Sequence, residues 1–184
     1  MAWITELSHF RLRLTLLLLL TIAGLSSNAY TKENNLHFSG ALVAEPCVLD
    51  PETTDIRLDL GISADKYLYQ NVRTFGEIFT INLLNCDVRI GNTVTMMFKG
   101  TENPSLPGLL ALSTGPASGI AIGLELEGGQ PLLFNQPLAG RVLSSGMTQL
   151  QLRGFVQGEP DALRMRNIRQ GSFMAVTTFE LSYP

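Results

Sequence analysis

The stretch GSFMAVTTFELSYP, residues 171–184, decides the fold class of this chain. One face of it consists of Phe173, Ala175, Thr177, Phe179, Leu181 and Tyr183. This period of two predicts a β-strand that turns those side chains towards an apolar core. Edge strands are normally protected by charge, proline or a covering segment, whereas Glu180 alone interrupts this one. We therefore expect a terminal strand that something outside the domain is meant to pair with.

Shorter segments with the same period recur along the chain between turn residues. They are residues 36–42, 56–60, 79–86, 94–98, 120–126 and 150–156. Residues 63–76 are polar and predict a loop or a helical turn, and residues 101–119, rich in Pro, Gly and Ser, predict a connection. Gly158, Glu159 and Pro160 predict a turn before the last strand. This pattern predicts a single all-β sandwich domain.

The first residues have the pattern of a secretory signal. Arg11 and Arg13 precede an apolar run over residues 14–25, and small residues at 27 and 29 follow it. This order predicts cleavage between Ala29 and Tyr30, so that residues 1–29 are the signal peptide. The apolar run is shorter than the roughly 18 residues expected of a membrane-spanning helix. An uncleaved anchor is the alternative.

Two cysteines follow the predicted cleavage point, Cys47 and Cys86. An even count in an exported chain favours one disulfide, and two buried free thiols are the alternative. A zinc site has little support, because the two histidines are His9 and His37 and there is no Cys-x-x-Cys pair.

Catalytic chemistry is not indicated. Ser144 and Ser145 have no histidine in the predicted mature chain except His37, so a Ser-His-Asp arrangement is not expected. The acidic cluster at residues 50–55 lacks the ligand spacing of a calcium loop and predicts turn chemistry. With 16% charged residues and a net charge of -3, nucleic acid is not an expected partner. We expect no enzyme activity, no metal and no cofactor.

Three parts of the sequence together resemble one known family. FSGALVAEPCVLD, residues 38–50, places the first cysteine just after an alternating segment, and FTINLLNC, residues 79–86, ends on the second. In the tail, Gly171 is fourteenth from the end and Tyr183 is penultimate. With this spacing, the chain after residue 29 resembles the subunits of chaperone–usher pili, of the type 1 and P-pilus kind.

The resemblance implies an incomplete immunoglobulin-like β-sandwich that lacks its seventh strand and is completed by a donor strand. It divides the chain into a signal peptide, residues 1–29, a donor-strand extension, residues 30–44, and a pilin domain, residues 45–184. A glycine at position 40 also fits this interpretation, because glycine weakens an ordinary strand and often marks the close approach of another chain.

The resemblance also implies roles for individual residues. The donor row is Leu36, Phe38, Gly40 and Leu42. The chaperone-binding and acceptor strand is formed by Gly171, Phe173, Ala175, Phe179, Leu181 and Tyr183. Cys47 and Cys86 would staple the first strand to a later one. The implied partners are a periplasmic chaperone, an outer-membrane usher and neighbouring subunits of a fimbrium on the cell surface, reached through the periplasm.

Several alternatives stay open at this point. The first and last alternating segments could pair with each other in a complete sandwich. The protein could be a single-domain tip adhesin that contacts a host receptor through residues 101–119, or the terminator of assembly. The sequence does not separate a major rod subunit from a minor adaptor.

Overall fold

The computed structural model describes residues 38–40, 42, 44–61 and 64–183. The described residues form ten strands and two short α-helices, all between residues 48 and 182. The strands are β1 (Val48–Leu49), β2 (Glu77–Cys86), β3 (Thr93–Lys99), β4 (Glu102–Asn103), β5 (Leu106–Leu110), β6 (Ile120–Leu126), β7 (Pro131–Leu132), β8 (Pro137–Val142), β9 (Gly146–Gly158) and β10 (Thr178–Ser182). The helices are α1 (Asp65–Asn71) and α2 (Pro160–Met165). In the described part of the chain, no helix has the length and apolarity to cross a membrane.

The strands form two antiparallel sheets. The larger sheet has the order β1-β2-β9-β6-β5-β4, with β7 paired to β6, and the smaller has the order β10-β3-β8. The long ladder between β2 and β9 aligns Ile81 with Leu150 and Phe79 with Leu152. Side chains alternate between the two faces of a strand, so these residues share the inner face, where Ile81 and Leu152 are fully buried. The predicted all-β sandwich is therefore confirmed.

One disulfide joins two buried cysteines of the core. Cys47 and Cys86 are bonded and buried, so the residue before β1 is joined to the last residue of β2. The predicted pairing is therefore confirmed for the two cysteines of the chain. Asp50, which the sequence placed in an acidic turn, caps the 3-10 turn Pro51–Thr53 by accepting a hydrogen bond from the backbone N–H of Glu52.

Several elements differ from the sequence prediction. Residues 56–60 alternate as predicted but belong to no strand. The predicted connection at residues 101–119 contains the β4–β5 hairpin, and β8 was not predicted. β9 is longer than the predicted segment because it pairs with β2 over residues 146–154 and with β6 over residues 152–158. The predicted turn at Pro160 begins α2, since proline suits the first position of a helix.

The outer face of the larger sheet is mostly polar in its middle. Asn82 donates a hydrogen bond to Asp50 and accepts one from Gln149, and Thr80 is the register partner of Gln151. Towards β6, the buried carboxylate of Glu125 is paired with Arg73 at 2.8 Å. An antiparallel sheet with one polar face normally leaves that face in water.

Candidate functional site

The last stretch of the chain, Phe173–Tyr183, contains β10 and is covered only in part on its inner face. From Phe173 to Tyr183 every second residue is half-buried and every residue between them is exposed. The half-buried residues are Phe173, Ala175, Thr177, Phe179, Leu181 and Tyr183. On β2, by contrast, the inward Ile81 and Leu83 have no exposed surface. The sandwich therefore covers its central strands completely and its last strand incompletely.

One edge of this last stretch is paired, and the other is free among the described residues. β10 pairs with β3 over Thr178–Ser182, and nearer its start Met174 exchanges backbone hydrogen bonds with Thr114. β10 is the edge strand of its sheet, so among the described residues its ladder has a partner strand, β3, on one side only. An edge of this kind presents a row of unsatisfied N–H and C=O groups.

A second stretch of half-buried apolar side chains borders the same core. Ile56, Leu58 and Leu60 are half-buried and alternate with the exposed Arg57 and Asp59. The segment is extended, yet it joins no ladder among the residues that the structure describes. Leu58 nevertheless packs closely on Gly154 of β9. A Cβ added to Gly154 would lie only 2.5 Å from the Cδ2 atom of Leu58. The alternation thus reports contact with the core, without strand pairing.

The end of β10 lies beside the point where the chain enters the domain. Burial raises the pKa of the Tyr183 hydroxyl above its ordinary value, and the nearby carboxylate of Glu45 adds to the effect. Both influences favour the neutral phenol, so this penultimate residue keeps its proton at neutral pH. Because β1 is the edge of the larger sheet and β10 that of the smaller, two sheet edges meet on this side of the sandwich.

Side-chain contacts with β3 hold β10 in position. The Phe179 ring lies 6.1 Å from that of Phe98 and is tilted to it. On the outer side, Glu180 forms an ion pair with Lys99. The Thr177 hydroxyl, in the half-buried row, donates a hydrogen bond to the carbonyl of Lys99 at 2.8 Å. The single charge of the stretch therefore ties the strand to its partner and leaves the opposite edge open.

Gly171 is required by the local structure. Its φ is +149°, and a Cβ at this position would lie 2.5 Å from Cγ of Pro116. Any larger residue would push the start of the last stretch away from residues 116–117. The sequence marked this glycine through its distance from the end of the chain, but it could not show the contact with Pro116.

The predicted donor row lies partly outside the described residues. Phe38 and Leu42 are exposed, and a Cβ on Gly40 would meet no atom within 4 Å. Leu36 lies outside the described residues, as do Ala29 and Tyr30 at the predicted cleavage point. The structure divides into two units between residues 42 and 43, and all the strands named above belong to the second.

Two arginines in and after α2 have partners within the domain. Arg164 pairs with Asp161 within α2, and the guanidinium of Arg166 lies 5.5 Å from the centre of the Tyr69 ring. Within the described ranges, no group of three or more His, Cys, Asp and Glu side chains could hold a metal ion. The most distinctive feature is thus an unpaired strand edge with a half-covered apolar face.

Comparison with known sequences gives a consistent result. A family model described as "Fimbrial protein" matches residues 36–184. The chain is 33% identical to protein PrsK of Escherichia coli over 172 residues, which cover 90% of this chain and 96% of that protein. It is 30% identical to the fimbrial adapter PapK of Escherichia coli over 156 residues, 82% of this chain and 88% of the other. Fimbria A protein of Serratia marcescens is 26% identical over 173 residues, 94% of this chain and 97% of its own.

Solved structures show the same fold. The crystal structure of the P pilus rod subunit PapA matches with a TM-score of 0.66 at 22% identity, covering 76% of this chain and all of that one. A chaperone–usher pilus structure that addresses rod uncoiling also has a TM-score of 0.66 and covers 86% of this chain. The predicted fold, an immunoglobulin-like sandwich that is incomplete, agrees with these matches.

Proposed function

This chain belongs to the fimbrial protein family, and we propose that it joins its neighbours by exchange of a β-strand. It is a structural subunit of a pilus on the cell surface, where it lies among neighbouring subunits. The half-covered inner face of the last stretch, from Phe173 to Tyr183, carries the proposal. A strand laid along the free edge of β10 would satisfy its backbone groups and cover the exposed half of those side chains.

The acceptor site would have two walls. β10 and the residues before it form one, and the half-buried segment 56–60 forms the other. A sandwich that pairs all of its own strands would not leave two edge segments half-covered beside the same core. The end of β10 beside Glu45 also argues against a complete sandwich, because the chain enters the domain there without pairing to β10.

The donor would be residues 30–44 of a neighbouring subunit. Its Leu36, Phe38, Gly40 and Leu42 would face the acceptor site of the subunit that receives it. Two observations support this role. The exposed Phe38 and Leu42 have no core of their own to fill. A Cβ at position 40 would meet no atom of the described residues within 4 Å, so this glycine fits a close approach in another molecule.

Export and assembly would follow from the same site. We propose residues 1–29 as a signal peptide, residues 45–184 as the pilin domain, and a periplasmic chaperone as the first occupant of the free edge, before transfer at an outer-membrane usher. Removal of residues 179–184 should abolish co-purification with a soluble periplasmic partner. Retention of that partner by the truncated chain would contradict the assignment of the edge.

A synthetic peptide of residues 30–44 tests the exchange itself. We expect it to bind the refolded mature chain and to raise the midpoint of thermal unfolding, because it completes the smaller sheet. A peptide with Phe38→Asp should bind at least about a hundredfold more weakly, since a charge would be buried in an apolar site. Fluorescence anisotropy of labelled peptides would measure both.

A second peptide makes the test specific. Ser39 lies on the opposite side of the donor row, so Ser39→Asp places the same charge one residue away and should bind nearly as well as the natural peptide. Equal binding of the Phe38 and Ser39 variants would contradict the proposed row. Failure of every peptide, with a chain that folds, would favour an assembly terminator, whose site accepts no donor.

A further inference from the structure

One row of side chains on the outer face of the larger sheet is apolar. Val48, Leu84 and Met147 are register partners on β1, β2 and β9. Register partners share a face and lie roughly 5 Å apart, so the three side chains form a continuous row. Val48 is 56% exposed and Met147 is 53% exposed. Val142, at the end of β8 in the smaller sheet, is 77% exposed and lines the same cleft as Met147. We call these four residues the entry patch.

The entry patch is bordered by polar rows on the same strands. The next row along the same strands consists of Asp50, Asn82 and Gln149, which are hydrogen-bonded to one another. The row after that pairs Thr80 with Gln151. An apolar area bordered by polar residues is the usual mark of a surface that another molecule covers.

The course of the chain indicates which molecule this is. Val48 is six residues after Leu42, the last member of the donor row. An extended chain spans at most about 3.6 Å per residue, so an acceptor that holds Leu42 lies within roughly 20 Å of Val48. The entry patch is therefore within reach of the molecule that receives the donor strand. Cys47 is bonded to Cys86, two residues after Leu84, so this part of the surface is fixed to the core.

We propose that the entry patch is a second contact between neighbouring subunits, and that it packs against the copy of this chain whose acceptor site holds residues 30–44. This inference rests on the proposed strand exchange. Each junction would then consist of a donor strand and a body-to-body contact that turns one subunit against the next. Such a head-to-tail contact uses different surfaces on the two copies, which is the arrangement that builds open filaments.

The test compares self-assembly of the mature chain with a double variant, Val48→Thr and Met147→Gln. Both substitutions keep the side-chain length and lie on an exposed face. We expect the double variant to form multimers roughly tenfold more slowly by size-exclusion chromatography, because the apolar contact is lost. Ile78→Thr is the matched control, since Ile78 is also 56% exposed on the outer face but stands opposite Arg153, far from the entry patch. It should assemble like the natural chain.

Binding of the peptide of residues 30–44 separates this inference from the proposed function. The peptide has no domain behind it, so the double variant should bind it with unchanged affinity. Assembly of the double variant at the natural rate would overturn the inference, and so would equal slowing by Ile78→Thr. Weakened peptide binding would also overturn it, because the effect would then arise in the acceptor site. A natural chain that binds the peptide but forms no multimers would exclude a second copy as the partner.

Discussion

A chain in which residues 30–44 are moved behind Pro184 on a short Gly/Ser linker is expected to be a stable monomer. The linker lets the segment turn back along the free edge of β10 as an antiparallel strand. It would cover the remaining exposed halves of Phe173, Phe179, Leu181 and Tyr183. At about 1 kcal/mol for each half-covered side chain, the gain is several kcal/mol. For a domain of this size, that raises the unfolding midpoint by roughly 10–20 °C.

The chain in its natural order should instead form multimers or aggregate, because its edge stays open to other chains. Sedimentation and calorimetry of the two proteins would measure the difference. The relocated segment with Phe38→Asp and Leu42→Asp serves as the control, since it keeps the linker and the length but cannot cover the site. A monomeric natural-order chain with a cooperative high-temperature transition would contradict the incomplete sandwich.

Replacement of both cysteines is the second change with a large expected effect. The disulfide closes a loop with a sequence separation of 39 residues. The entropy that it removes from the unfolded chain corresponds to roughly 4 kcal/mol of stability. Since whole domains are stable by only about 5–15 kcal/mol, Cys47→Ala with Cys86→Ala should leave the domain close to its unfolding threshold.

Urea unfolding of the chain with the relocated donor segment measures this loss without interference from aggregation. Reduction of the natural disulfide in the same protein should give a similar loss, because both treatments open the same loop. Alanine lacks the sulfur atom, so any loss in the double variant beyond that caused by reduction reports the packing of the two buried sulfurs. An unfolding free energy within about 1 kcal/mol of the parent would show that the loop is already ordered in the unfolded chain.

The strands that the sequence predicted well are those with a regular apolar face. β2, β3 and β6 alternate over seven residues or more and stop at cysteine or glycine. β8 gave no such signal, because its six residues include Pro137, Gly140 and Arg141 and are mostly exposed. Residues 56–60 have a regular apolar alternation but form no ladder in the described structure. Alternation reports which side chains face a core, and it does not report whether a neighbouring strand is present.

The same limit applies to the site. The last stretch was recognisable from sequence because all of its inward residues are consecutive members of one row. The entry patch was not, because Val48, Leu84 and Met147 come from three distant strands and meet only through the register of the sheet. Gly171 was predictable only in part. The sequence showed its position in the tail, and the structure alone shows its contact with Pro116.

The disulfide also determines how a pulling force would travel through a filament of such subunits. Tension from the donor strand reaches the domain at Cys47, where the covalent path divides. One branch runs through β1 and residues 56–60, a proposed wall of the acceptor site, and the other crosses directly to Cys86 at the end of β2. The direct branch is far shorter, so it becomes taut first and leaves the other slack. A pull along the proposed donor strand would therefore pass from Cys47 directly into β2 and its long ladder with β9, and the loop between the two cysteines would not have to carry it.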